Sequence, residues 1–301
     1  MEATASAAVL IALPDQDYDP SEAAISWQLL RAAGHRVAFA TPSGRPAAAD
    51  PLMLTGEGLD LWGFVPLLRR IKALGLLLRA NGDARRAHAA MQADAAYVTP
   101  ARYADLRVED YDALLLPGGH RARGMRRFLE DPVLQRFVAA FFDAGKPVAA
   151  ICHGVVLAAR SRSERTGRSS LWGRRTTALT WKLESAAAAS MRFIGRFWDP
   201  GYYRTYAEAA GEPAGFRSVQ AEVTRALAAP ADFKDVPAGA PDHFRKASGL
   251  FRDSATDRRP AWVVRDGNYV SARWPGDAHV FAQTFCEVLA ELGSPAGEPR
   301  R

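Results

Sequence analysis

The stretch Val148-Ala149-Ala150-Ile151-Cys152-His153-Gly154 limits what this chain can fold into more than any other. An apolar run stops at a cysteine and a histidine, and a glycine then opens an Ala/Leu-rich segment. That order describes a buried parallel strand turning sharply into a helix, with Cys152 at the turn. Ala150 and Gly154 supply the small flanking residues that such a tight elbow needs. A thiol held there points away from the sheet edge, and the N-terminus of the next helix favours its thiolate. The same residues also suit a buried cysteine in an ordinary core strand, the commoner place for a free thiol. On this stretch alone both readings stand.

The neighbouring segments extend the pattern. Ala7 to Leu13 is a short apolar strand. Pro20 to Ala33 has helical spacing, with Pro20 near its start and Gly34 at its end. Val37 to Ala40 is the next strand, and Ala113 to Leu116 is a third, ending at Pro117-Gly118-Gly119-His120. Pro132 to Ala144 is a helix capped by Gly145, and Val148 to Ile151 is the fourth strand. Strands alternating with helices predict an α/β fold, a doubly wound, mostly parallel sheet flanked by helices. In such sheets ligands sit at the carboxyl ends of the strands. The loops after Leu13, Leu116 and Ile151 all lie there.

The remainder is read as one domain over residues 1–292 with insertions at about 50–100 and 161–260, and a disordered tail over 293–301. Leu61 to Leu78 is strongly apolar with Arg69, Arg70 and Lys72 interleaved. Gly63, Pro66 and Gly75 break it up, so it is read as amphipathic helices packed over a core edge in preference to a membrane-surface helix. Thr176 to Ala189 reads as a strand or loop leading into an Ala-rich helix, and Val219 to Leu227 as a helix. The aromatic, turn-rich run Trp198-Asp199-Pro200-Gly201-Tyr202-Tyr203 is expected to cap the site. Trp262 to Arg265 and Tyr269 to Arg273 form a hairpin around Asp266-Gly267-Asn268, and Asp277 to Leu292 closes the chain as a helix.

Composition narrows the function classes. Hydrophobic residues make up 48% and charged residues 24% of the chain, which describes an ordinary globular protein. Two cysteines, Cys152 and Cys286, provide no disulfide framework and point to a reducing, cytoplasmic setting. The N-terminus lacks the pattern of a secretory signal, and no stretch is long enough to span a membrane. The net charge of +6 rests on scattered arginines, with no motif for nucleic acid, so no nucleic-acid or membrane partner is expected. No spacing of metal ligands and no G-x-G-x-x-G is present, so neither a metal nor a cofactor is expected. His35 and His279 read as structural or exposed, His243 is given no role, and Cys286 reads as a core residue.

Three pieces converge on one site. Cys152 offers a nucleophile, Gly118 and Gly119 offer exposed backbone N–H groups for an oxyanion, and Glu22 begins the helix after the first strand. Leu115-Leu116-Pro117-Gly118-Gly119-His120 followed by Ala150-Ile151-Cys152-His153-Gly154 resembles the ThiJ/PfpI family, within the class I glutamine amidotransferase-like, flavodoxin-like fold. The resemblance covers Ala8 to Pro42, Tyr111 to Arg160 and, more loosely, Trp262 to Leu292. It implies that Cys152 is the reactive cysteine, that Glu22 is the acid hydrogen-bonded to it, and that His153 is the base. It further implies that Gly119 and the His153 N–H are oxyanion donors and that the protein is a homodimer. His120 is expected to line the site or cap the loop. An orienting acid for the histidine is expected near Thr177-Ala178-Leu179-Thr180-Trp181, but Trp181 stands in its place. Glu184 nearby is read as an exposed helix residue in preference to that acid.

The expected function is therefore a cofactor-independent, cysteine-dependent lyase or hydrolase acting on a small carbonyl or amide compound. Its most concrete form is glyoxalase-like conversion of a 2-oxoaldehyde to a hydroxy acid through a Cys152 thiohemiacetal. The alternative is a stress-responsive, redox or chaperone-like protein whose Cys152 is oxidised to a sulfinate. Peptidase and glutaminase readings are weaker, since no His-Pro-Glu-like pair stands near Trp274-Pro275-Gly276-Asp277.

Overall fold

The computed structural model describes residues 6–293. Its strands are β1 (Ala8–Ala12), β2 (Gln16–Tyr18), β3 (Arg36–Thr41), β4 (Ala48–Ala49), β5 (Ala101–Arg102), β6 (Ala113–Leu116), β7 (Val148–Ile151), β8 (Val263–Asp266) and β9 (Tyr269–Ala272). The first helices are α1 (Pro20–Ala32), α2 (Pro51–Thr55), α3 (Leu74–Leu78), α4 (Gly82–Gln92) and α5 (Ala95–Val98). They are followed by α6 (Ala122–Glu130), α7 (Pro132–Asp143), α8 (His153–Arg160), α9 (Trp181–Ile194), α10 (Val219–Ala226), α11 (His243–Ala247) and α12 (Ala278–Gly293).

The apolar strand segments assemble as their composition demands. Side chains alternate across a strand, so a strand apolar on both faces must be covered on both. In β1, Val9 and Ile11 join Ala24, Leu30, Met91 and Phe285 on one face, where α1, α4 and α12 pack. Leu10 and Ala12 join Phe128, Val138 and Leu157 on the other, under α6, α7 and α8. The result is a seven-stranded sheet in the order β5-β3-β1-β6-β7-β9-β8. Every neighbouring pair is parallel except the β8–β9 hairpin. The predicted doubly wound α/β architecture is the one observed. A separate two-stranded piece pairs β2 with β4.

Of the two alternatives for the stretch from Thr176, the loop is the one observed: Thr176 makes a single bridge to Phe233 and the chain then enters α9. One difference from the sequence reading concerns the first insertion. Leu61 to Leu78 does not pack over the core edge. Apart from α3 it runs as successive turns, and it leaves Leu67 89% and Leu77 78% exposed. The physical reason lies in its breakers: glycine and proline interrupt any helix long enough to present one continuous apolar face. What anchors this region is a small separate core of Leu52, Met53, Leu59, Met191 and Tyr202, which joins the two insertions. Beyond residue 293, the expected tail lies outside the described residues.

Candidate active site

The elbow is built as the sequence requires. β7 ends at Ile151, and Cys152 turns the chain with φ 56° and ψ −121° before α8 starts at His153. A non-glycine residue in such a conformation costs about 1–3 kcal/mol and must be held there by its surroundings. The Cys152 N–H donates to the Ala272 carbonyl at 3.1 Å, and the Cys152 carbonyl accepts from the Val155 N–H at 3.2 Å. Gly154 has no room for a side chain, since a Cβ would lie 1.9 Å from the Leu116 carbonyl oxygen. A Cβ on Gly118 would come within 2.6 Å of the His153 nitrogen. The two glycines let the carboxyl ends of β6 and β7 press together, which brings the Pro117-Gly118-Gly119 loop against the thiol.

Glu22 reaches the same point through a different device. Asp19 caps α1, its Oδ1 accepting from the N–H groups of Ser21 at 2.8 Å and Glu22 at 3.1 Å. Such a cap is worth about 1 kcal/mol, and here it also fixes where the first turn points. The Asp19 N–H donates to the Gly118 carbonyl at 2.8 Å, and the Gly118 N–H donates to Glu22 Oε2 at 2.7 Å. This reciprocal lock corrects one expectation: the Gly118 N–H is buried and committed to Glu22, and is not an exposed donor for an oxyanion. Gly119 is buried beside it, pressed against Asp17 and Tyr18. Burial pushes the Glu22 carboxyl well above the usual carboxylate range, with Asp19 adding repulsion. Its Oε1 is buried without a geometric hydrogen-bond partner, and the neighbouring Cys152 side chain and the Gly118 N–H act on the carboxyl in the opposite, lowering direction. Burial likewise pushes the Cys152 thiol up, as do Glu22 and Asp19, while the His153 backbone N–H pulls it down. Cys152 is completely buried, so the accessible low-pKa thiolate of the sequence reading is not what the fold presents.

His153 lies directly beside the thiol, its Nδ1 3.5 Å from Cys152 Sγ. Burial lowers its pKa to about 3, with His120, Arg160 and Arg204 acting in the same direction. The ring is therefore neutral and carries one proton. Its Nε2 lies 2.8 Å from Thr205 Oγ1, and that hydroxyl also faces the His120 carbonyl at 3.5 Å. A carbonyl only accepts, so the Thr205 proton goes to His120 and Thr205 Oγ1 accepts from Nε2–H. Nδ1 is then the unprotonated nitrogen facing the thiol, the arrangement a base needs. The residue that orients the histidine is thus a threonine from the insertion. Nothing in the local sequence Tyr202-Tyr203-Arg204-Thr205 marks it, because its role arises only when the insertion folds back.

The position expected to hold an acid is occupied as the sequence indicated. The Trp181 ring stacks under the Arg204 guanidinium at 4.9 Å, and the Trp181 N–H donates to Gln220. Glu184 is not exposed, however. It is buried, and its carboxyl accepts from Arg204 at 3.0 Å and from the Val219 N–H at 2.9 Å. The reason is local: Glu184 sits in the first turn of α9 on the face that meets α10 and the Arg204 loop. Burial pushes its pKa up to about 7. It shares with His153 and Thr205 a cavity of only about 10 Å³, room for about one water.

His120 belongs to the lining of the site. Its Nε2 lies 3.4 Å from Asp19 Oδ2, and its ring meets Tyr203 edge-on at 4.9 Å. Tyr203 in turn meets Tyr202 edge-on at 5.0 Å, and Tyr202 donates to Asp50 Oδ2 at 2.5 Å. The expected cap is therefore present, and it ties the second insertion to the first. His279 pairs with Asp253 at 3.3 Å, and His35 accepts from the Ala7 N–H at 3.2 Å, both as structural residues. A surface groove of about 600 Å³, lined in part by Val108, Phe137, Ala140 and Arg165, lies along α7 and includes none of the Cys152 cluster. Among the described residues no group of three or more His, Cys, Asp or Glu is placed to hold a metal ion.

Comparison with known proteins bears on the fold and the family. An uncharacterized protein of Archaeoglobus fulgidus is 40% identical over 73 residues, covering 23% of this chain and 40% of that protein. Protein/nucleic acid deglycase 2 of Escherichia coli is 50% identical over 48 residues, covering 15% of this chain and 24% of that protein. The matches thus span less than half the length of either relative. Among solved structures, the Rapid Encystment Protein 24 KDa of Francisella tularensis superposes with a TM-score of 0.59 at 13% identity, covering 94% of this chain and 99% of the other. Glyoxalase III of Candida albicans does so with a TM-score of 0.52 at 15% identity, covering 94% and 97%. At those identities the likeness is one of fold. A family model described as ThiJ/PfpI family-like matches residues 13–209, a run that contains Glu22, the Gly118-Gly119 loop, Cys152 and Thr205. The chain belongs to the ThiJ/PfpI-like family.

Proposed function

We propose that this protein is a cofactor-independent, cysteine-dependent enzyme that adds water to a small 2-oxoaldehyde, giving the corresponding 2-hydroxy acid. The observation that carries this reading is the strained elbow holding Cys152 Sγ beside a neutral His153 Nδ1, with the raised Glu22 carboxyl next to them. The names of two relatives, a glyoxalase III and a deglycase, agree with carbonyl chemistry of this kind.

In this reading opening of the site relieves the burial that holds the His153 pKa at about 3 and the Cys152 thiol up. His153 Nδ1 then takes the thiol proton as Sγ bonds to the aldehyde carbon, and the new oxyanion is held by the Gly119 and His153 N–H groups. Protonation of that oxygen gives the thiohemiacetal. Removal of the proton from its carbon, and return of a proton to the neighbouring ketone carbon, converts it to the thioester of the hydroxy acid. Glu22 and His153 are the groups placed to move these protons. Water then cleaves the thioester, releasing the hydroxy acid and restoring the thiol. The net change is the addition of one water, with no external oxidant or reductant. With Cys152 sealed in the closed form, substrate enters only when Tyr202, Tyr203 and Thr205 swing away.

The redox alternative has less support, since oxidation favours an exposed, low-pKa thiol and Cys152 is buried with its pKa pushed up. The test is to incubate the purified protein with methylglyoxal in the absence of glutathione and added metal. Lactate should accumulate in step with aldehyde loss. Aldehyde loss without hydroxy acid would contradict the proposal.

A further inference from the structure

We propose that the exposed apolar face formed by residues 62–78 and the C-terminal end of α9 is a docking surface for an anionic phospholipid bilayer. Leu67, Leu77, Ile71 and Phe193 are 89%, 78%, 56% and 61% exposed. Phe64 contacts the Phe197 ring at 4.9 Å, so the two segments form one continuous surface. Beneath it, Met191 and Tyr202 pack with Leu52 and Met53, which holds the platform to the body. Single exposed apolar residues are ordinary, but a contiguous patch rimmed by charge marks an interaction site.

The charge decides what covers it. Leu61 to Arg79 contains Arg69, Arg70, Lys72 and Arg79 and no acid, and residues 186–198 contain Arg192 and Arg196 and no acid. Among the described residues Lys72 pairs with Glu57, whereas Arg69, Arg70, Arg192 and Arg196 form no ion pair. A second copy docking by two-fold symmetry would set these cations against one another with no carboxylate from either segment to meet them. Anionic headgroups supply the missing charge, and the leucines enter the acyl boundary, as in interfacial amphipathic segments. Gly63, Pro66 and Gly75 keep the segment from forming a long helix, and among the described residues no helix is long and apolar enough to cross a membrane. The contact is therefore peripheral.

The experiment is co-sedimentation of the full chain with vesicles of phosphatidylcholine alone or mixed with phosphatidylglycerol. Binding is expected to the mixed vesicles only and to fall as salt is raised. The double variants Leu67→Ser/Leu77→Ser and Arg69→Gln/Arg70→Gln should each weaken it by about tenfold or more. Melting temperatures should stay unchanged, because these side chains are exposed. Equal binding to both vesicle types, or no binding, overturns the proposal. So does a dimer in light scattering that Leu67→Ser/Leu77→Ser dissociates, since the patch would then serve self-association.

Discussion

In the proposed reaction, one proton and two ring nitrogens make His153 the residue on which the chemistry turns. Thr205 sets which nitrogen carries the proton, so it acts as a positioning residue. Thr205→Val keeps the shape and removes the hydroxyl, leaving Nε2–H buried without its acceptor, a loss of about 1–3 kcal/mol. Turnover should fall by about tenfold to a hundredfold with KM little changed, and Thr205→Ser should restore most of it. A fall in KM-dependent binding alone would mean that Thr205 only shapes the pocket. At this scale the sequence and its family resemblance singled out Cys152, His153 and Glu22 as candidates, and the fold brings the three side chains together. The sequence reading missed Thr205 and misplaced Glu184, because both owe their roles to contacts made across more than thirty residues.

Elements succeed or fail on close approach. Gly154→Ala would place a methyl 1.9 Å from the Leu116 carbonyl oxygen. Backbone has to move to relieve that clash, and denaturant unfolding should show a loss of about 2 kcal/mol or more. Gly145 has φ +67° but nothing within 4 Å of an added Cβ. Gly145→Ala should therefore cost only about 1 kcal/mol, the strain of a left-handed alanine. If the two variants were equally stable, the pressing together of β6 and β7 would not be what shapes the elbow. Four central strands were legible because they are apolar runs bounded by turn residues, and the terminal hairpin because Asp266-Gly267-Asn268 marks its turn. The edge strand β5 and the pair β2–β4 were not, since runs of two or three residues carry no period to read.

Across the whole molecule, two insertions fold over the sheet's carboxyl edge and seal it, with Asp50 and Tyr202 as their tie. Burial pushes the Asp50 pKa up to about 6 from an ordinary 3.8. A carboxyl raised in the folded state stabilises fully below the unfolded value, and that contribution is lost as pH rises through the folded one. Wild type should thus lose stability relative to Asp50→Asn between about pH 4 and pH 7, by at most about 3 kcal/mol. Parallel melting curves over that range would show that Asp50 does not titrate as placed. That a cap exists was legible from its aromatic composition. Its closure, and the bare leucines on its outer side, were not, since a periodic pattern shows which residues are apolar but not what covers them. The proposed reaction depends above all on Cys152 being the nucleophile. The direct measurement is glutathione-free lactate formation from methylglyoxal by wild type, Cys286→Ser and Cys152→Ala, with circular dichroism confirming that all three are folded. Turnover should persist in the first two and vanish in Cys152→Ala; a folded Cys152→Ala that still makes lactate would contradict the account.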